Sequence, residues 1–145
     1  MVQLAQLVAT AAAGIFAGAA IVISLAEHPA RMECGTSLAA TLFGPAYRRE
    51  AAMQAPLAVI GSAAAIGRWL LGGPAAWAAA SLLLFLVVPF TLIVIMPTNR
   101  RLLDPALDRA SEEARLLLVR WGRLHAVRSV LSLVAFVLMM SLIGR

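Results

Sequence analysis

The chain has two histidines, His28 and His125, and each stands where a long uncharged stretch meets charged residues. His28 follows residues 2–26 in "SLAEHPAR", and His125 precedes another apolar run in "RWGRLHAVRS". Imidazole has an ordinary pKa of about 6.5 and is well suited to take a proton from a weakly acidic C–H or phenol. Glu27 adds a carboxylate beside His28. These residue types indicate acid–base chemistry or metal ligation at the ends of two apolar segments.

The last apolar segment carries further polar groups on one side. Trp121, His125 and Arg128 are spaced i, i+4 and i+7, which places them on one face of a helix. Arg128 lies one turn deeper than His125, and an arginine inside a membrane normally faces the helix bundle and has a partner. We expect Glu27 to be that partner, because it is the one acid at the apolar edge of the first segment. The alternative is that Arg128 extends back to lipid phosphates.

The composition is that of a membrane protein. Of the 145 residues, 62% are hydrophobic and 13% are charged, against about half and about a quarter in soluble domains. A bilayer core of about 30 Å requires roughly 20 apolar residues as helix. Four segments have this length, at 4–26, 51–71, 74–96 and 124–143. Because lipid cannot pair free backbone groups, we predict an all-α membrane four-helix bundle, formed as a single domain over residues 1–145.

The connections between the predicted spans differ. The "GGP" at Gly72–Pro74 predicts a tight turn that makes the second and third spans an antiparallel hairpin. Residues 28–50 are expected to form a longer link interrupted by glycine and proline, and Pro29 is expected to end the first helix. In the charged link 97–123, Asp104 is the predicted N-cap of an amphipathic helix that leads into the fourth span.

The arginines predict the orientation. Residues 28–50 carry three arginines and residues 97–123 carry six, whereas the opposite side has Arg68 and Arg145. The positive-inside rule places both long links in the cytoplasm and both termini outside, in what we expect to be a bacterial inner membrane. The first run has no preceding basic residue and is longer than a signal-peptide core, so we interpret it as a retained span.

This topology brings the polar side chains to one level of the membrane, where they could share a site. His125 is the expected base, and Arg128 and Asn99 are the expected groups that stabilise a developing oxyanion or enolate. His28 with Glu27 is the expected second base or orienting pair. The shared site requires that the first and fourth helices be neighbours.

Two other functions stay open. His28, His125 and Glu27 match a two-histidine, one-carboxylate metal set, which would fit a metal-dependent membrane oxidoreductase. However, no HxxxH or ExxH pair fixes two ligands on one helix turn. A non-enzymatic lipid- or quinone-binding accessory protein is the other alternative. Nucleic-acid binding is excluded despite the net charge of +5, because the arginines flank apolar runs, and no P-loop, GxGxxG or GxSxG motif is present.

Four blocks resemble a known family. "EHPAR" after the first span, "YRREAAMQAPLA" into the second, "PFTLIVIMPTNRRL" through the third and "RWGRLHAVRSVLS" into the fourth are similar to the anthrone-oxygenase-like family of small four-span membrane proteins. Fungal members resemble enzymes that oxidise a polyketide anthrone to an anthraquinone with O₂. The family pattern selects three groups at matching positions: His28, Pro29 and Arg31; Pro97, Thr98 and Asn99; Trp121, His125 and Arg128.

The resemblance implies an oxygenase. Because the ionisable residues cluster at one level, we expect base-assisted enolisation of an apolar aromatic or quinone-like substrate, followed by reaction of the carbanion with O₂. No cofactor is implied, and a transition metal on the histidines is the alternative. Membrane lipids and an apolar small molecule are the expected partners, without nucleic acid, and the GxxxG at Gly14 and Gly18 leaves a homo-oligomer open. The predicted substrate-binding residues are Trp121, Arg31, Tyr47, Gln54 and Thr98.

Overall fold

The computed structural model describes residues 1–144 as four long helices and their connections, without a strand in that range. The helices are α1 (Val2–Glu33), α2 (Thr36–Leu70), α3 (Ala76–Leu102) and α4 (Glu112–Ser141). The predicted all-α four-helix architecture is confirmed. Arg145, expected on the side with few arginines, lies outside the described residues.

The helices pack in cyclic order, α1 beside α2, α2 beside α3, α3 beside α4 and α4 beside α1. The helix α2 also contacts α4 across the bundle. The first and fourth helices are therefore neighbours, which is the arrangement that a site shared by His28 and His125 requires.

Three of the four helices, α1, α3 and α4, are long and apolar enough to cross a membrane. The chain is thus built as an integral membrane protein. The helix α2 is longer than any of them, but residues such as Arg49, Glu50 and Gln54 make its sequence less apolar. Its crossing at residues 51–71 remains a prediction.

Small residues let the helices approach closely, which is the usual source of packing energy where lipid is as apolar as the core. A Cβ added to Gly61 of α2 would lie 2.8 Å from Leu84 and 3.2 Å from Ala12. A Cβ on Gly14 would lie 2.8 Å from the Phe136 ring of α4. Both glycines therefore fix the distance between neighbouring backbones, in contacts within a single chain.

The link predicted at residues 28–50 is largely helical, so that prediction was wrong. Pro29 does not end α1: the helix widens into a π-helical segment, Ile23–Glu27, and continues to Glu33. The His28 N–H reaches back five residues to the carbonyl of Ile23, and the wider turn accommodates the proline, which has no N–H to donate. The actual link is Cys34 and Gly35, and Gly35 adopts φ +95°, which favours glycine.

A second π-helical segment, Thr91–Ile95, occurs in α3 between Pro89 and Pro97. Its first carbonyl accepts a hydrogen bond from the N–H of Met96, again five residues on. Both widened turns lie just before the polar blocks that contain His28 and Asn99. Single π turns of this kind occur often at functional sites.

The start of the fourth helix differs from the prediction. Asp104 is not a helix cap; its side chain accepts a hydrogen bond from the N–H of Ala106, two residues on, and Asp108 does the same for Ala110. These local turns compete with helix formation. The N-cap is Ser111, whose hydroxyl accepts from the Ala114 N–H at 3.1 Å. From there α4 runs unbroken to Ser141, which is two residues short of the end of the predicted fourth span.

Candidate active site

A cavity of about 210 Å³ opens between the four helices, near the end of the bundle formed by residues 27–50 and 97–123, called here the arginine-rich end. Its wall is mostly apolar, with a few polar groups. The residues used below are Phe16 of α1, Tyr47, Glu50 and Gln54 of α2, Met96 and Asn99 of α3, and Trp121 and Arg128 of α4. An apolar wall with a few convergent polar groups is typical of a small-molecule site.

Arg128 is held inside the bundle by Gln54. Its Nη2 donates to Oε1 of Gln54 at 2.6 Å, and its guanidinium carbon lies 5.5 Å from the centre of the Phe16 ring. The prediction that Glu27 pairs with Arg128 was therefore wrong, as was the alternative of extension to lipid phosphates. Glu27 pairs instead with Arg31, one turn away on its own helix.

Three side chains of the cavity wall each retain a buried polar atom that has no hydrogen-bond partner within residues 1–144. They are Nε of Arg128, Nε2 of Gln54 and Oδ1 of Asn99. Gln54 is 2% exposed and Asn99 is 1% exposed. An unpaired buried polar group costs about 1–3 kcal/mol. Two donors and one acceptor around one cavity therefore favour a ligand that carries both a carbonyl and a hydroxyl group.

The two histidines meet at Trp121 rather than in the cavity. The His28 and Trp121 ring centres are 5.1 Å apart, and the Trp121 and His125 rings stack at 4.8 Å. A Cβ on Gly122 would lie 2.6 Å from Nε2 of His28, so the imidazole packs directly on the α4 backbone. The predicted convergence of the histidines is thus present, but neither imidazole lines the cavity that Trp121 lines.

His125 is 1% exposed and is joined to α1 by serines. Its Nδ1 lies 2.9 Å from the Ser24 hydroxyl, which lies 2.8 Å from the Ser129 hydroxyl. Ser129 also donates to the carbonyl of Ala20 at 2.9 Å. This chain of hydrogen bonds fixes the imidazole and connects α4 to α1. It gives His125 the environment of a positioning group behind Trp121.

Arg31 connects α1 to α2 beside the cavity. It is 8% exposed, and its Nη2 contacts carboxylates of both Glu27 and Glu50, the latter at 3.1 Å. Glu50 lies just before the predicted second span. Burial raises the pKa of its carboxyl, and the hydrogen bond from Arg31 opposes that rise. Arg31, predicted to bind substrate, is thus an ion-pair residue outside the cavity lining.

The remaining predicted residues divide between the cavity and its surroundings. Tyr47 and Gln54 line the cavity, and the Tyr47 hydroxyl lies 3.9 Å from the Met96 sulfur. Thr98 is buried but is not among the lining residues. Within residues 1–144, no group of three or more His, Cys, Asp and Glu side chains lies close enough to hold a metal ion. The proposed metal ligands His28, His125 and Glu27 are therefore not brought together as one set.

Sequence reasoning missed Glu50 and Ser24. The sequence predicts a link at Glu50, whereas Tyr47, Glu50 and Gln54 are spaced i, i+3 and i+7 on one face of α2. The helical periodicity continued past Pro45, and that was the available signal. Ser24 stands four residues before His28, on the same helical face, which could have identified it as part of the histidine environment.

The fold and site define a small integral membrane four-helix protein with a mostly apolar cavity and buried polar groups at one end. The family model for anthrone oxygenases matches residues 43–138, which include most of the cavity wall. The chain belongs to the anthrone oxygenase family.

Among curated proteins, the chain is similar to "Anthrone oxygenase tpcL" of Aspergillus fumigatus (strain Af293), with 47% identity over 55 residues. That segment is 36% of this chain and 34% of the relative, so the match spans about a third of the relative's length. No solved structure matches the chain.

Proposed function

We propose that the protein is a membrane oxygenase that acts with O₂ on an apolar aromatic ketone carrying a phenolic hydroxyl, of which a hydroxyanthrone is the model. The observation that carries this proposal is the set of three unpaired polar atoms on Arg128, Gln54 and Asn99 around a mostly apolar cavity. Family membership and the similarity to an anthrone oxygenase support the same chemistry.

The proposed reaction begins with loss of a proton from the carbon opposite the ketone. The electron pair of the C–H bond stays with the substrate as an enolate, whose oxygen bears the developing charge. Arg128, already oriented by Gln54, supplies positive charge and an N–H donor in a low-dielectric wall, where such interactions are strong. Asn99 accepts a hydrogen bond from the phenol and orients the ring. The carbanion form then reacts with O₂, and conversion of an anthrone to an anthraquinone consumes one O₂ and releases one water.

The residue expected from the sequence to be the base, His125, has little geometric support for that role. Its Nδ1 shares a hydrogen bond with the Ser24 hydroxyl. Trp121, rather than an imidazole, forms the part of the cavity wall where a catalytic base would be needed. We propose that His28 and His125 instead hold Trp121 in place as one face of the binding site. No metal enters the proposed reaction, which rests on side chains of the cavity wall.

The proposal is tested with the purified full chain in lipid nanodiscs. Incubation with 1,8-dihydroxyanthrone under ¹⁸O₂ is expected to give the anthraquinone with one ¹⁸O atom, faster than protein-free nanodiscs do. Ligand binding without turnover above that background would instead support a non-enzymatic quinone-binding protein. Metal analysis of the same sample tests the remaining alternative, a metal-dependent oxidoreductase. About one equivalent of metal in the wild type, lost in His28→Ala, would favour that alternative.

We further propose that the arginine-rich end faces the cytoplasm, in a bacterial inner membrane. Support comes from the arginine distribution under the positive-inside rule. In this orientation the cavity and its ion pairs lie on the cytoplasmic side, from which an anionic or phenolic substrate can enter.

A further inference from the structure

Glu50 stands between two recesses of the protein. One is the cavity, in whose wall Glu50 is the only carboxylate among the described lining residues. The other is a depression on the outer surface of the helix bundle, and it is lined by Glu27, Arg31, Leu42, Pro45, Ala46, Arg49 and Glu50. The Glu50 side chain is 17% exposed. A group that borders both recesses can exchange a proton with a ligand on one side and with water on the other.

We propose that Glu50 is the proton acceptor of the reaction, and that Arg31 with Glu27 compensates its charge. This inference rests on the proposed function. In the step, the substrate C–H bond breaks, its electron pair remains on the substrate as the enolate, and the proton forms an O–H bond on the Glu50 carboxylate. One negative charge thereby moves from Glu50 to the substrate, where Arg128 faces it. The net charge within the site is unchanged, which avoids the cost of creating a new charge in an apolar cavity.

The double pairing of Arg31 allows Glu50 to become neutral. Removing one partner of a buried ion pair normally leaves an uncompensated charge and is strongly unfavourable. Arg31 is 8% exposed, so it would suffer this cost if Glu50 were its only partner. Glu27 contacts the same Nη2 and is 45% exposed. When Glu50 takes the proton, Arg31 therefore keeps a carboxylate, and that carboxylate lies at the surface of the bundle.

The charged and titratable groups around Glu50 determine its basicity. They are Arg31 and Glu27 from α1 and Arg128 from α4, together with Tyr47 in the cavity wall and Arg49 in the depression, both from α2 itself, while the lining residues of α3 are uncharged. Burial raises the pKa of Glu50, Arg31 and Arg128 lower it, and Glu27 raises it. A carboxylate with a raised pKa is a stronger base. Because only the deprotonated form accepts a proton, the rate should rise with pH through the pKa of Glu50.

The test measures proton abstraction separately from the reaction with O₂. Wild-type protein in nanodiscs is incubated without oxygen in D₂O with 1,8-dihydroxyanthrone, and deuterium entry at the methylene carbon is followed by mass spectrometry. Protein-free nanodiscs give the background. Glu50→Gln, which keeps the shape of the side chain, is expected to lower the protein-dependent exchange rate by about 10²-fold or more. Glu50→Asp, which keeps the carboxylate, should retain a measurable part of it.

Two further variants sharpen the result. Glu113→Gln removes a carboxylate from an exposed pair with Arg101, away from the cavity, and should leave exchange unchanged. Glu27→Gln should lower the exchange rate at high pH, because Arg31 then keeps no carboxylate when Glu50 takes the proton. It should also move the acidic limb of the exchange to lower pH, because loss of the Glu27 charge lowers the pKa of Glu50. A purely structural role of Glu50 would not produce that displacement of the pH profile.

These measurements distinguish a failure of the Glu50 assignment from a failure of the oxygenase proposal. Wild-type exchange that is lost in Glu50→Gln supports the assignment even if the wild type shows no O₂-dependent turnover, a result that would overturn the oxygenase proposal alone. Undiminished exchange in a folded Glu50→Gln protein overturns the assignment. So does wild-type exchange no faster than background, even where ¹⁸O enters the product.

Discussion

Nη2 of Arg128 donates a hydrogen bond of 2.6 Å to Oε1 of Gln54, a residue 74 positions earlier in the chain. The bond joins α4 to α2 across the bundle, at the wall of the cavity. It holds the guanidinium inside the bundle without a carboxylate partner among the described contacts of Arg128. The positive charge is therefore not neutralised by a direct ion pair and is available to a substrate oxygen.

Replacement of Arg128 by Leu should strongly impair turnover. The substitution removes the donor and the charge expected to stabilise the enolate, and loss of one such donor typically lowers kcat by about 10²–10³-fold. The rate of anthraquinone formation in nanodiscs measures the effect. Arg123→Leu is the matched control, because Arg123 lies on the same helix but is exposed. A folded Arg128→Leu protein with wild-type kcat would contradict the role of Arg128.

The length of the apolar runs made the bundle predictable. In lipid the backbone N–H and C=O groups must pair within the segment, and a helix achieves this. The helix ends were not predictable in the same way. Pro29 and Pro45 are helix breakers in most contexts. However, α1 accommodates Pro29 after a π-helical turn, and α2 continues through Pro45. Tertiary packing of residues such as Phe43, which is 1% exposed, outweighs the local preference there.

The sequence predicts the end of the bundle at which the polar side chains gather, but it does not predict how these side chains pair. The sequence has Glu27 as the one acid at the apolar edge of the first segment, which is why it predicts a bond from Glu27 to Arg128. The structure pairs Glu27 with Arg31 because the two are four residues apart on one helix, where an ion pair forms locally. The choice of Gln54 for Arg128 depends on the rotation of α2 about its axis, and no short sequence pattern encodes that rotation.

Replacement of Gly122 by Ala should disturb the aromatic cluster of His28, Trp121 and His125. The new Cβ would lie 2.6 Å from Nε2 of His28, so the buried imidazole must move. We expect a loss of about 1–3 kcal/mol of stability from this overpacking. Gly18→Ala is the control, since a Cβ there meets no atom within 4 Å. Thermal unfolding in detergent should separate the two variants, and equal melting temperatures would argue against tight packing of His28 on Gly122.

Replacement of Ser24 by Ala should destabilise the protein, because it removes a hydrogen-bond partner of the buried His125 imidazole. The hydroxyl that lies 2.9 Å from Nδ1 of His125 is removed, and the imidazole is left without that partner in a site 1% exposed. Such a loss costs about 1–3 kcal/mol. Ser141→Ala is the control, because its hydroxyl bonds to a carbonyl at an exposed position, and a change within about 0.5 kcal/mol is expected there. Denaturant unfolding in mixed micelles that shows no difference between the two variants would contradict a structural role for the Ser24–His125 bond.

The orientation in the membrane can be tested with the native cysteine. Cys34 is the only cysteine of the chain and is exposed in the link after α1, at the arginine-rich end. If that end is cytoplasmic, a membrane-impermeant maleimide should label Cys34 in inside-out vesicles and spare it in intact spheroplasts. The control moves the thiol to the other end of the bundle: Ala75→Cys in a Cys34→Ser background, at an exposed position before α3, should give the reverse pattern. Labelling of Cys34 in intact spheroplasts, with protection of the thiol at position 75, would place the cavity and the Arg31 ion pairs on the outer side, and the substrate would then have to enter from there.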